Sequence, residues 1–355
     1  MKKIYVNSIS IILLALLIIP FQGQAGNKQR SGQAGASELL INPWARSSGW
    51  GGANTACVRG LEGIFQNVAG TAFAKGTELL FSHTKLYVGA DISMNAFGFS
   101  QKIGESGVLS MAVQNIDFGD IEITTVDLPD GGIGTFNPKY TVISVSYAKE
   151  FSNAIYGGLT VKIINEGISD VTASGICFDA GIQYVTGSQE QIHFGIAMKN
   201  VGPTMRYSGD GLSFRGEVPA TEVDLTVEHR SAEFELPSLI TIGGAYDFNF
   251  AGNNQLILAG NFTSNSFTKD QFHLGLEFNY HDILFLRGGY KYEKGDNIFG
   301  DDFETRETAF TGPSAGISLQ IPLNKENGTY FSFDYSYRDT DPFNGLHSIG
   351  ARVSL

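Results

Sequence analysis

Apolar and polar residues alternate along most of the chain, and the pattern is clearest from Asp270 to Glu293. There Phe272, Leu274, Leu276, Phe278 and Tyr280 alternate with Gln271, His273, Gly275, Glu277 and Asn279. After His281-Asp282 the alternation resumes, with Leu284, Leu286, Gly288, Tyr290 and Tyr292 on one side and Phe285, Arg287, Gly289, Lys291 and Glu293 on the other. Successive side chains of a strand point to opposite faces, so this stretch predicts a hairpin with one apolar wall and one wall that carries charge. Each arm is about ten residues, the length a tilted strand needs to cross a bilayer.

The same pattern, interrupted by turn residues, places strands near Glu78–Lys85, Asp91–Ile103, Gly107–Phe118, Lys139–Phe151, Ala154–Glu166 and Thr172–Thr186. Others fall near Glu190–Asn200, Leu236–Phe250, Asn254–Ser266, Lys269–Tyr280, Ile283–Lys294, Thr311–Ile321, Thr329–Arg338 and Asn344–Leu355. The total is about fourteen, an even number as expected of a bacterial outer-membrane barrel. Every second connection is short, as at Gly104-Glu105-Ser106, Ser152-Asn153 and His281-Asp282. The connections between them include the long ones, Gly119–Pro138, Val201–Glu235 and Gly295–Phe310. A meander sends odd and even connections to opposite ends, which gives one end of short turns and one of long loops. Outer-membrane barrels have this asymmetry, and a soluble sandwich has no reason for it. The last strand runs to the carboxyl terminus, which suits barrel closure because closure leaves no unpaired edge. The fold class expected is therefore all-β, a transmembrane antiparallel β-barrel.

The start of the chain reads differently. Lys2 and Lys3 precede an apolar run from Ile9 to Pro20, and Gly23-Gln24-Ala25 offers small residues at the cleavage positions, the pattern of a secretory signal peptide over residues 1–25. The run is too short to span a bilayer comfortably. Export without a second apolar helix fits a cell outer membrane location, with outer-membrane lipid as the solvent of one wall. Residues 26–77 lack the alternation. Short apolar patches with small residues, around Trp44, Arg46, Trp50 and Asn67, predict a compact irregular plug inside a barrel formed by residues 78–355.

Composition agrees. The 355 residues include 44 Gly, 26 Phe and 14 Tyr, and the mean hydropathy is −0.02 because outward and inward residues cancel. Loss of Lys2 and Lys3 with the leader moves the net charge from −12 to −14. So acidic a chain has no electrostatic reason to bind nucleic acid. The inward faces collect Lys162, Asp179, His193, Lys199, Asp247, His273, Glu277, Arg287, Lys291, Glu293, Asp334 and Arg352. Two readings are open, a structural network of buried pairs and a selectivity lining. Cys57 and Cys177 are too few for a disulfide framework and lie at no zinc-ligand spacing. A plug-to-wall disulfide and two packed free thiols are both compatible with their positions.

Several ordered segments carry a family resemblance. They are Ala45-Arg46-Ser47-Ser48-Gly49-Trp50-Gly51-Gly52-Ala53, Asn67-Val68-Ala69-Gly70, Ser82-His83, and Thr124-Thr125 followed by Pro129-Asp130-Gly131. Lys162-Ile163-Ile164-Asn165-Glu166, Phe178-Asp179-Ala180-Gly181, Lys199-Asn200-Val201-Gly202-Pro203 and Leu236-Pro237 complete the set. On these the chain resembles the PorV/PorQ family, relatives of the FadL-type fatty-acid channels. The resemblance implies a fourteen-stranded FadL-like barrel with an N-terminal plug, serving the type IX secretion system. The partners implied are the large translocon, the C-terminal domains of secreted cargo and a sortase-type attachment complex. The long connection Val201–Glu235 is the candidate docking surface, with Met205, Tyr207, Leu212, Phe214 and Arg215 as anchors of types common at hot spots. A loop folded over the barrel mouth is the alternative. From another class, the alternative function is a plugged channel for hydrophobic small molecules.

No enzyme is expected. Gly312-Pro313-Ser314-Ala315-Gly316 fits G-x-S-x-G, but a strand pattern continues through it where a nucleophile elbow needs a strand, a turn and a helix. The six histidines are scattered, with no metal-ligand spacing. The acidic run Asp296, Asp301, Asp302, Glu304 and Glu307 lacks the order of a calcium loop. Neither cofactor nor metal is expected.

Overall fold

The computed structural model describes residues 27–218, 223–293, 308–324, 328–340 and 343–355. The expected leader and the acidic run Asp296 to Glu307 lie outside the described residues. In chain order the strands begin with β1 (Thr77–Leu86), β2 (Ile92–Ile103) and β3 (Gly107–Asp117). A small hairpin, β4 (Ile121–Glu122) with β5 (Thr135–Phe136), stands apart from the main sheet. Next come β6 (Lys139–Ser152), β7 (Ile155–Ile168), β8 (Val171–Thr186) and β9 (Ile192–Val201). A second outer hairpin joins β10 (Ser213–Val218) to β11 (Val223–Glu228). The chain then continues through β12 (Leu239–Phe250), β13 (Asn254–Asn265), β14 (Gln271–Tyr280), β15 (Leu284–Glu293), β16 (Gly312–Asn324), β17 (Thr329–Arg338) and β18 (Leu346–Ser354).

Without the two outer hairpins, these strands form one closed antiparallel barrel of fourteen, in sequence order. Closure is made by β1 against β18, from Glu78 opposite Ser354 to Lys85 opposite His347. The barrel matches the alternation because each strand buries one set of side chains and exposes the other. In β14 the outward Phe272, Leu274, Leu276 and Tyr280 are exposed, while the inward Gln271, Glu277 and Asn279 are buried. The short turns are tight where the sequence allows. His281 and Asp282 both sit at positive φ, 54° and 57°, as a type I′ turn requires. Asn279 Oδ1 supports that turn by accepting from the Asp282 N–H at 2.9 Å.

The lumen is filled by the N-terminal segment. Helices Ala45–Gly49 and Gly63–Gln66, with 3₁₀ turns Ser37–Leu40, Gly60–Glu62 and Val68–Phe73, fold into a short-ranged knot of chain. Trp44 is fully buried and packs with Leu61, Ile64 and Phe65 against Leu80, Ala96 and Ala112 of the wall. Trp50 lies against Ala53, Ala56, Ala245 and Ala259. The contact is close because wall glycines face the segment. A Cβ placed on Gly289 would fall 2.3 Å from the Trp50 carbonyl oxygen, so only glycine lets the two backbones touch there.

The inward charges form pairs that join plug to wall. Glu62 of the plug receives Arg352, and Arg46 lies 3.4 Å from Asp334. Burial would lower the pKa of Arg46, but Asp334, Glu62 and Glu277 together outweigh that and hold it above its ordinary value. Arg287 pairs with Glu277 and donates to Ser318 Oγ at 2.5 Å. Of the two readings of these charges, the paired network holds in the lower and middle lumen. On β1, β2, β3, β6 and β7 the outer third instead carries inward apolar residues: Leu86, Met94, Ile116, Tyr140, Val142 and Ile164 form a core with Leu39 and Ile41 of the plug segment.

Candidate functional site

Three of the sequence segments singled out above converge on one point in the wall. Between Phe178 and Ala180 the β8–β9 register shifts, and β9 accommodates an extra residue at Asn200, held at φ 59°. Asp179 Oδ1 accepts from the Asn200 N–H at 2.8 Å, and Lys162 Nζ lies 2.5 Å from Asp179 Oδ2 while donating to Asn200 Oδ1 at 3.0 Å. Asn200 Nδ2 donates to the Pro237 carbonyl, fixing where the long connection re-enters the barrel. All three side chains are buried, so the cluster is a structural bulge clamp with no open face for a ligand.

An open space lies beside it. A cavity of about 340 Å³ sits between the plug segment and the outer half of the lumen. One side is apolar, with Leu40, Ile41, Leu86, Ile92, Ile116 and Phe310. The other carries Lys199, His273, Lys291 and Arg338. Lys199 Nζ donates to the Phe65 carbonyl at 3.0 Å, and His273 Nδ1 lies 2.8 Å from the Gly51 carbonyl oxygen. Glu38 also lines the cavity, Lys199 and Lys291 are only half-buried, and among the described residues no side-chain ion pair holds Arg338, although it is only 9% exposed. This differs from the lower lumen, where Arg287 and Arg352 each meet an acid. The cavity thus joins an apolar side to a side that carries cationic groups, one of them the buried Arg338.

A second cavity of about 400 Å³ opens toward the short-turn end, lined by Arg46, Trp50, Asn54, Cys57, His193 and Asp247 among others. Trp50, Gly51 and Gly52 separate the two spaces. Gly52 O accepts from Asn261 Nδ2 at 2.7 Å and from Gln66 Nε2 at 2.8 Å.

The residues expected at the plug fall as follows. Trp44 and Trp50 are buried anchors, Arg46 joins the ion network, and Asn67 bonds to the wall. The docking residues expected on the long connection divide. Met205 is 2% exposed and packs in the outer core, so it is no surface anchor; this corrects the expectation, because a bridge to Phe234 pulls that part of the chain inward. Tyr207 is half-buried and donates to Glu166 Oε2 at 2.6 Å. Leu212 is half-buried, whereas Phe214 and Arg215 are exposed on β10. Cys57 and Cys177 are both free thiols. Ser314 lies within β16, its hydroxyl donating to the Gly49 carbonyl, and has no nucleophile elbow around it. Of the cavity cations, Arg338 alone was missing from the sequence reading. Continuing the alternation from Asp334 through Ser336 finds it.

No family model and no curated protein matches the chain by sequence. Solved structures match its fold. CymD, a monoaromatic hydrocarbon channel, superposes with a TM-score of 0.56 at 14% identity, covering 89% of this chain and 98% of that one. The toluene transporter TbuX of Ralstonia pickettii gives 0.54 at 14% identity, with 88% and 97% covered. A FadL homologue of Pseudomonas aeruginosa gives 0.50 at 12% identity, with 87% and 98% covered. The chain has the fold of the FadL-like outer-membrane barrels. At such identities the likeness is one of architecture, and the cavity has to speak for the chemistry.

Proposed function

We propose that this barrel is a channel for small hydrophobic molecules that carry an acidic group. The observation that carries the reading is the cavity with an apolar side and, opposite it, Lys199, Lys291 and the buried Arg338. An apolar tail finds Leu40, Leu86 and Ile116, and a carboxylate finds Lys291 and Arg338. The fold neighbours named for aromatic hydrocarbons support carriage of apolar cargo, and the cations add a head group to it. Export to the outer membrane by a cleaved leader belongs to the same reading. The test is ligand binding by the refolded barrel. Decanoate is expected to bind at least about tenfold more tightly than decanol, the worth of one charge-assisted hydrogen bond, with the preference lost in Arg338→Met. Equal binding of the two, or none, overturns the reading.

A second reading keeps the PorV/PorQ resemblance, in which the barrel serves type IX secretion as a docking partner for translocon, cargo or attachment complex. Its support is the exposed outer hairpin, where Phe214 stands opposite Val227 and both are exposed along with Leu225. Gentle extraction from membranes distinguishes the two, since a stoichiometric large partner favours docking and a barrel alone with bound amphiphile favours transport.

A further inference from the structure

A row of polar side chains crosses the outer wall of β1, β2, β3, β6, β7 and β8. It consists of His83, Asn95, Asn115, Thr141, Asn165 and Ser174, each directly opposite the next across its strand pair. Three hydrogen bonds tie it together: His83 Nδ1 with Asn95 Oδ1 at 2.8 Å, Asn115 Nδ2 to Thr141 Oγ1 at 3.1 Å, and Asn165 Nδ2 to Ser174 Oγ at 2.8 Å. On five of these strands the adjacent residues Met94, Ile116, Tyr140, Ile164 and Ala173 are buried inside the barrel. Polarity therefore inverts at the row. On its short-turn side the wall is apolar outside, as with Phe81, Phe97, Val113, Ile143, Ile163 and Ile176. On the other side the outward residues include Lys85, Asp117 and Lys139, while the apolar residues point inward. Hydrocarbon solvates only an apolar wall, so the hydrocarbon ends at this row.

The row is not level. Strands in such barrels tilt by about 40°, and a line of directly opposed residues slopes by the same angle. On β8 the outward Ile176, Phe178, Ile182 and Tyr184 lie between the row and the short-turn end. On β1 only Leu79 and Phe81 separate His83 from Thr77, and on β2 only Phe97 and Phe99 separate Asn95 from Gln101. Thr77 Oγ1 donates to Gln101 Oε1 at 2.6 Å, which marks a second polar pair, beyond which Ile103 is the one exposed apolar residue of β2. At about 3.3 Å per residue and that tilt, the apolar height here is roughly 15 Å, against roughly 25 Å in such barrels.

We propose that the β1–β2 face is a lipid-contact site at which the bilayer is locally thinned and outer-leaflet headgroups descend to His83 and Asn95. A wall too short for the hydrocarbon is accommodated by thinning. The amides, hydroxyls and imidazole of the row suit the ester carbonyls and hydroxyls at the top of the acyl region. The site is independent of what the barrel carries.

Two single-tryptophan reporters test it in the full refolded chain, Phe81→Trp on the thin face and Leu276→Trp, equally far along β14 from its short-turn end. Native Trp44 and Trp50 are buried in the lumen and shielded from lipid. Phosphatidylcholine brominated near the headgroup is expected to quench the reporter at 81 more than lipid brominated near the chain end, with the order reversed at 276. Identical quenching profiles at both positions overturn the proposal. So does a reporter at 81 that neither lipid quenches, which means that a second copy of the chain covers the face. As an independent measure, the double variant His83→Ile/Asn95→Val is expected to shift the best-folding vesicle from dilauroyl toward dioleoyl lipid. An unchanged optimum counts against thinning.

Discussion

Asn67 of the plug occupies the space that a side chain at Gly181 of the wall would need: a Cβ there would fall 2.0 Å from Asn67 Oδ1. From that position Asn67 Nδ2 donates to the Thr55 carbonyl at 2.9 Å and to the Ile182 carbonyl at 3.1 Å, while its Oδ1 accepts from the Ala69 N–H at 3.2 Å. One amide thus caps the 3₁₀ turn Val68–Phe73 and fastens it to β8.

Gly181→Ala is therefore expected to destabilise the folded barrel by about 1–3 kcal/mol, the usual cost of overpacking. Asn67→Ala is expected to cost a similar amount by removing the acceptor of the buried Ala69 N–H and one donor each from the Thr55 and Ile182 carbonyls. Urea midpoints in detergent micelles measure both. Because the two residues share one contact, the double variant is expected to lose less than the sum of the singles.

Glu62 gives a larger effect. It is 2% exposed, receives Arg352, accepts from Ser47 Oγ at 2.5 Å, and lies 3.9 Å from Arg46. Glu62→Gln keeps the shape and removes the carboxylate between two buried guanidiniums, which leaves Arg46 to Asp334 at 3.4 Å and Arg352 to Glu78 at 3.7 Å. The expected loss is about 3–5 kcal/mol, with Glu62→Gln/Arg352→Met recovering part of it. The same unfolding assay reports the recovery, and a double variant worse than Glu62→Gln alone contradicts the pairing.

Much of this barrel is legible in its sequence, because lipid outside and packed protein inside enforce alternation along whole strands. Each expected strand exists within a few residues, and Thr329–Arg338 matches at both ends. The inward placement of Lys162, Asp179, Glu277 and Arg287 followed from the same period. What alternation does not encode is how strands and plug meet. Lys162, Asp179 and Asn200 lie on three strands, and their clamp depends on a bulge that no spacing announces. The outer apolar core was hidden for a related reason. Alternation puts Tyr140 and Val142 on one face and Ile143 on the other, and only the register shows that the first two face inward beneath the loops. Met205 looked like a surface anchor because loop residues carry no period from which burial can be read.

The Cys57 thiol supplies a pH prediction. Burial, with Glu277 and Asp247 adding to it, pushes its pKa well above the ordinary thiol value. The native protein should react with maleimide at neutral pH far more slowly than the urea-unfolded chain, in which the thiolate forms normally. The sign for stability follows from linkage. The folded state holds this proton more tightly, so its contribution is present below the ordinary thiol pKa near 8.5 and is lost as pH rises beyond it. Cys57→Ser removes the native reaction at this site, and rapid native labelling at position 57 contradicts the raised pKa.

The Gly51–Gly52 turn closes the section of the lumen between the two cavities. It lies between the two cavities, and its position rests on Asn261 and Gln66 donating to Gly52 O and on His273 beside Gly51 O. Both glycines sit at positive φ, 62° and 79°, so the turn adopts a conformation that ordinary side chains disfavour and depends on these bonds to stay placed. Asn261→Ala/Gln66→Ala removes two donors without inserting bulk and without touching Glu62, Arg46 or the strand ladder. In planar bilayers the wild-type barrel is expected to be electrically silent, because the plug fills the section between the cavities. The double variant is expected to show brief openings, since a turn held by fewer bonds leaves its place more often. A silent double variant with an unchanged urea midpoint would show that the packing of Trp50 on Gly275 and Gly289, rather than the hydrogen bonds, keeps the passage shut.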